Sequence, residues 1–141
     1  MTNAIKPSSP SFIPAFGRLL LAAIFILSGI GKVAAPAATI GYIASTGLPF
    51  ATLGFAAAVA VELGGGILLA VGYQTRIVAS VLALFSIVTA LIFHHAFGDQ
   101  NQMIHFLKNV AIAGGLLQVA AFGAGAFSID ARAPKFNAQT A

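Results

Sequence analysis

FATLGFAAAVAVELGGGILLAV, residues 50–71, is apolar from end to end except for one carboxylate, Glu62, close to its midpoint. At 1.5 Å per residue, about twenty apolar residues in a helix cross a hydrocarbon core of about 30 Å. Three further stretches of this kind lie at about 16–35, 76–95 and 103–122. The expected fold is therefore all-α, an integral membrane up-down four-helix bundle. A charge at the depth of Glu62 costs a few kcal/mol or more in hydrocarbon, so it should be paired, protonated or turned to a polar cavity. Glu62 is the strongest pointer to a site in the chain.

Composition agrees. Of 141 residues, 59% are hydrophobic and 7% charged, with a mean hydropathy of +0.97. A soluble domain carries about a quarter charged residues, so the membrane class is favoured. The pI near 10.0 does not make this a nucleic-acid binder. Lys6, Arg18, Lys32, Arg76, Lys108, Arg132 and Lys135 are scattered singly and form no stripe to meet a phosphate backbone. With no cysteine, the chain has no disulfide, no thiolate metal site and no ligand for an iron–sulfur cluster.

The punctuation sets the domain plan. Residues 1–12 are polar and proline-rich, as in a flexible tail, and residues 13–127 form one four-helix domain. Pro36 stops the first helix. Val33-Ala34-Ala35-Pro36 faintly resembles a signal-peptide cleavage site, but the preceding apolar run is longer than an ordinary signal core, so the first helix is kept. Residues 37–48 are too short to span and suit an interfacial half-helix, with Tyr42 at headgroup depth. A tight turn follows at 72–75, a polar loop at 97–102, and residues 128–141 read as a polar, partly ordered tail. Loops this short make sequential helices antiparallel neighbours. Five basic residues (Lys6, Arg18, Arg76, Arg132, Lys135) then fall on one side and two (Lys32, Lys108) on the other, which places both termini in the cytoplasm of a multi-pass inner-membrane protein.

At 100° per residue, Arg18, Gly29 and Lys32 share a face of the first helix. Glu62 shares one with Phe55, Ala58, Gly66 and Leu69. On the last helix His105, Lys108, Ile112, Gly115 and Phe122 line up, with Asn109 beside them. The candidate buried polar or ligand site is thus Glu62, Arg18, Lys32, His105, Lys108 and Asn109. Plain structural roles stand beside this: Arg18 and Lys32 can snorkel to the two surfaces, and Gly64, Gly65 and Gly66 suit close helix packing more than space made for a ligand. Glu62 has two readings of similar weight. One is a register-fixing ion pair, with Arg18 reaching toward it, and the other is a proton carrier or ligand anchor. His94, His95 and His105 cluster at one end, without the mid-membrane pair a haem b needs and without a recognised metal-ligand spacing. No metal and no intrinsic cofactor are expected.

The polar positions resemble a known family. Arg18 with Phe25, Gly29-Ile30-Gly31-Lys32 and Gly47-Leu48-Pro49 resembles the opening of the DoxX family of small bacterial membrane proteins. Glu62-Leu63-Gly64-Gly65-Gly66-Ile67-Leu68 leading to Gly72-Tyr73-Gln74-Thr75-Arg76 is similar to its second signature. Asn101 through Asn109, Gly114-Gly115 and Ser128-Ile129-Asp130 resemble the last helix and tail of a subset. The resemblance implies four transmembrane helices and a link to membrane redox or oxidative-stress systems. The family takes its name from subunits associated with a thiosulfate–quinone oxidoreductase.

Three functions follow as expectations. The first is an accessory, quinone- or quinol-interacting subunit of a membrane redox system, catalytic or not, working with redox protein partners or as a homo-oligomer in the lipid bilayer. The second is a small-solute or proton-coupled permease using the same charges. The third is a non-catalytic membrane scaffold.

Overall fold

The computed structural model describes residues 10–133. Five helices follow in order: α1 (Ile13–Ala34), α2 (Pro36–Ser45), α3 (Ala51–Val71), α4 (Thr75–Phe93) and α5 (Gln100–Phe122). All but α2 are long and apolar enough to cross a membrane, and no strand occurs among the described residues. The four long helices alternate in direction, α1 packing mainly on α3 and α4 on α5. The core between them is built largely of small residues, including Ala22, Ala79, Ala83 and Ala113, around Phe25, Leu69, Leu82 and Leu116. The outer surface is apolar, with Leu27, Leu53, Leu84 and Leu117 more than half exposed. Such a surface fits hydrocarbon, where exposed leucines cost nothing.

Local chemistry sets the helix ends. Ala35 precedes Pro36 and is pushed out of the helical region (φ −136°, ψ 64°), which separates α1 from α2. Gly72, at φ 71°, closes α3: its N–H donates to Leu69 O and the Tyr73 N–H donates to Leu68 O. This is the Schellman pattern. A side chain has no room there, because a Cβ on Gly72 would lie 2.5 Å from Ser128 Cβ.

Two boundaries differ from the sequence expectation. Asp99 accepts hydrogen bonds from the Asn101 and Gln102 N–H groups, so α5 starts at Gln100, inside the supposed polar loop. At the other end of that loop, α4 stops at Phe93, because His94 leaves helical geometry (φ −133°).

The C-terminal segment has a specific seat. Residues 128–130, the start of the tail expected to be partly ordered, are tied to the end of the bundle where α1 begins. Ile129 and Asp130 donate their N–H groups to Val71 O and Gly72 O. The Asp130 carboxylate accepts from the Gln74 and Thr75 N–H groups, each at 2.8 Å, and so caps α4 from a distant part of the chain. The expectations for residues 1–9 and 134–141, including Lys6 and Lys135, lie outside the described residues.

Candidate functional site

Within α3, residues Ala60–Gly65 form a π-helical stretch, and Glu62 sits on this widened turn. A π turn adds a residue to the helix, so positions on either side no longer follow the 100° step. Such bulges are frequent at functional sites. The backbone around it is held by close contacts. A Cβ on Gly29 would lie 2.7 Å from Leu63 Cγ, one on Gly66 2.8 Å from Ile26 Cγ1, and one on Gly65 2.9 Å from Leu82 Cδ2. Small residues thus bring α1 and α4 against the π turn, while Gly64 meets nothing.

Glu62 is buried, and its partner is Lys32 of α1. Lys32 Nζ donates to Glu62 Oε1 at 2.9 Å and lies 2.8 Å from Oε2. Ser28, one turn before Lys32, donates to the same Oε1 at 3.1 Å and accepts from Lys32 Nζ at 2.9 Å. Lys32 therefore turns inward instead of snorkelling. An ion pair supported by further hydrogen bonds is the form in which a carboxylate survives burial.

Arg18 does not reach Glu62. It is buried at the opposite end of α1, where its guanidinium donates to Ala124 O, to Phe127 O at 2.8 Å and to Ala70 O at 3.3 Å. Its fork of donors fits carbonyls left open where α3 and α5 end. It fastens the C-terminal segment, and the idea that it pairs with Glu62 is corrected accordingly. Near it, burial pushes the Asp130 carboxyl up, but the hydrogen bonds from Thr75 and Gln74 and the Arg18 charge outweigh this and hold its pKa below the ordinary value.

The Glu62 cluster opens on a cavity of about 600 Å³ between α1, α2, α3, α4 and α5. This is within the range of small-molecule sites. Its walls are mostly apolar, with Phe25, Ile43, Phe85 and Ile112 among them, and its polar lining includes Ser28, Lys32, Glu62, Lys108 and Asn109. Of the six residues proposed from sequence, Glu62, Lys32, Lys108 and Asn109 share this cavity. His105 stands just behind it: its Nδ1 is 3.1 Å from Lys108 Nζ, and its ring stacks on His94 at 5.1 Å. Arg18 is the one the fold sends elsewhere.

Sequence reasoning missed Ser28, which the i, i+4 spacing to Lys32 could have supplied, and the contribution of α2. Thr39 and Tyr42 of α2 line the cavity, and Tyr42 stacks on Phe93 of α4 at 5.5 Å. His94 and His105 stack on each other, but the three histidines do not converge on one point. His94 Nδ1 meets Gln102 Oε1 at 3.0 Å, and His95 Nδ1 meets Ile92 O at 3.1 Å. Among the described residues no group of three or more side chains could hold a metal ion.

Comparison with known proteins identifies the family. The DoxX family model matches residues 13–95, which hold α1 through α4 and both partners of the ion pair. Over 113 residues the chain is 37% identical to the inner membrane protein YqjF of Escherichia coli, covering 80% of this chain and 85% of that protein. It is 38% identical over 120 residues to the inner membrane protein YphA of the same organism, covering 82% and 86%. No solved structure matches the chain. The chain is a multi-pass membrane protein and belongs to the DoxX family.

Proposed function

We propose that this protein is an inner-membrane subunit that binds a quinone or quinol in the Glu62 cavity and serves a membrane redox or oxidative-stress system. The supporting observation is the cavity itself: about 600 Å³ of mainly apolar space with one buried, hydrogen-bonded ion pair in its lining. A quinone ring has the matching character, an apolar body with two oxygens for hydrogen bonding. Lys32 and Ser28 hold the Glu62 carboxylate in place, and Lys108 and Asn109 on α5 carry the N–H donors that meet a ring oxygen. Any sulfur chemistry coupled to the bound ring requires a partner, because this chain has no cysteine. The asymmetry of basic residues favours an orientation with both termini and the 72–75 turn in the cytoplasm, and in that frame the cavity opens toward the outer half of the bilayer.

The test is quinone content. Protein purified in mild detergent and extracted with organic solvent should release quinone at near-stoichiometric yield, or take it up when a decyl-substituted benzoquinone is added. Protein that holds none as purified and none after incubation overturns the proposal. Proteoliposomes that accumulate a solute through the same cavity would favour a permease instead.

A further inference from the structure

The two ends of the bundle are held by different forces. At the Arg18 end the C-terminal segment is fastened by hydrogen bonds from the Arg18 guanidinium and to the Asp130 carboxylate. α2, which covers the Glu62 cavity at the other end, has nothing comparable. Its side-chain hydrogen bonds are local: Thr39 donates to Ala35 O at 3.0 Å, Ser45 to Tyr42 O and Thr46 to Ile43 O, each at 2.7 Å. Among the described residues no hydrogen bond or ion pair joins α2 to α3, α4 or α5.

Apolar contact is what remains, and it is uneven. Within the described residues the α2 backbone packs on α3 and on the end of α1, but not on α4 or α5. Ile43 is buried against α3, where its Cγ2 would lie 3.5 Å from a Cβ added to Gly54. Toward α4 the gap is crossed by side chains, Tyr42 stacking on Phe93 with ring centroids 5.5 Å apart. Both rings line the cavity, so the stack closes its side between α2 and α4. Both ends of α2 are breaks in regular backbone. Ala35 lies outside the helical region before Pro36, and Gly47 (φ 81°) and Phe50 (φ 57°) are left-handed. Element ends of this kind are where a hinge absorbs rotation. In hydrocarbon no hydrophobic effect holds two apolar surfaces together, because lipid replaces the contact that is lost.

We propose that α2 is a lid on the Glu62 cavity. It turns on the Ile43–Gly54 contact, between the breaks at Ala35 and Gly47, and parts Tyr42 from Phe93. The door this opens lies between α2 and α4, and its rim is apolar. Val88 belongs to the cavity wall and, with Leu91 one turn on, to the exposed apolar face of α4. The door therefore admits an apolar molecule dissolved in the lipid. The lid controls access whatever the cavity holds, so it does not depend on the quinone reading.

The chain has no cysteine, so reporters can be placed at will. Spin labels at Gly41→Cys on α2, where a side chain meets nothing, and at Leu91→Cys on the exposed face of α4 report the distance between the two helices in proteoliposomes. Phe93→Ala removes the stack and should lengthen that distance. Access is read at Ala58→Cys in the cavity wall. It should react with N-ethylmaleimide about two- to tenfold faster in the Phe93→Ala background, the shift expected for one aromatic pair. Ala113→Cys, buried in the core outside the cavity, should keep its rate. An unchanged distance overturns the lid, even with faster labelling of Ala58→Cys, since that combination marks a static hole. A longer distance without faster labelling overturns it too, and so does faster labelling of Ala113→Cys, which marks general loosening. No ligand enters these measurements. Their failure leaves the quinone reading standing, and protein that binds no quinone leaves the lid standing.

Discussion

Removing one member of the Lys32–Glu62 pair strands the other in a different environment. The Lys32 side chain is 25% exposed and belongs to the last turn of α1, so without its partner it can straighten toward the membrane surface. Glu62 has a short side chain, 7% exposed, on a turn in mid-helix, and has no such escape. Lys32→Met should therefore cost the 3–5 kcal/mol typical of an orphaned buried charge, and Glu62→Gln less than about half of that. Melting temperatures of the two variants in one detergent decide this, and a Glu62→Gln protein that melts lower than Lys32→Met contradicts the asymmetry. The presence of a buried carboxylate was legible in the sequence because a single charge in a mainly apolar stretch of twenty-two residues cannot be mistaken. The identity of its partner was not. Arg18 and Lys32 share one face of α1, and only the depth of packing and the π turn decide which end of that face meets Glu62.

The glycines of α3 show why an element needs its neighbours to be understood. Three stand in a row, and from sequence all three read alike, as a packing surface or as space for a ligand. The fold gives them different surroundings: Gly66 is pressed against Ile26, with the backbone nitrogen of Ile26 only 3.2 Å from a would-be Cβ, while Gly64 faces open space. Gly66→Ala must push α1 from α3 and should lose about 1–3 kcal/mol. Gly64→Ala meets nothing and should be neutral or slightly stabilising, since alanine is the better helix former by about 1 kcal/mol. Equal melting temperatures for the two variants would deny the contact. At α4 the decisive group lies 55 residues from its target: Asp130 accepts from the Thr75 N–H. Losing such a cap costs about 1 kcal/mol, so Asp130→Ala should lower the melting temperature modestly at neutral pH. The folded-state pKa of Asp130 lies below its ordinary value. Its contribution is therefore complete above that ordinary value and disappears as the pH falls through the lower, folded one. Wild type and Asp130→Ala should converge in acid, and a gap that persists there argues against the carboxylate as its source. No pattern within residues 75–93 announces this cap.

At the scale of the whole molecule, the four spans follow from length and hydropathy, because hydrocarbon leaves an apolar chain little choice but helices. The pairing of α1 with α3 and of α4 with α5, and the cavity they leave under α2, depend on which small residues face each other, and hydropathy does not encode that. The fold also gives the molecule two unlike ends. One has Arg18, Arg76 and the C-terminal segment clasped over α3 and α4; the other has Lys108, His94 and His105 near the mouth of the cavity. Basic residues are retained on the cytoplasmic side of short loops, so the Arg18 end should face the cytoplasm and residues 36–48 and 96–102 the outside. The absence of native cysteine makes this measurable with single-cysteine variants. Asn101, exposed in the first turn of α5, and Tyr73, exposed in the turn before α4, sit at opposite ends. In spheroplasts, a membrane-impermeant maleimide should label Asn101→Cys fully and Tyr73→Cys only after the membrane is opened. The reverse pattern would turn the molecule over and open its cavity toward the cytoplasmic leaflet. That would change which leaflet supplies the cavity, while the Lys32–Glu62 pair and the apolar walls around it would remain as they are.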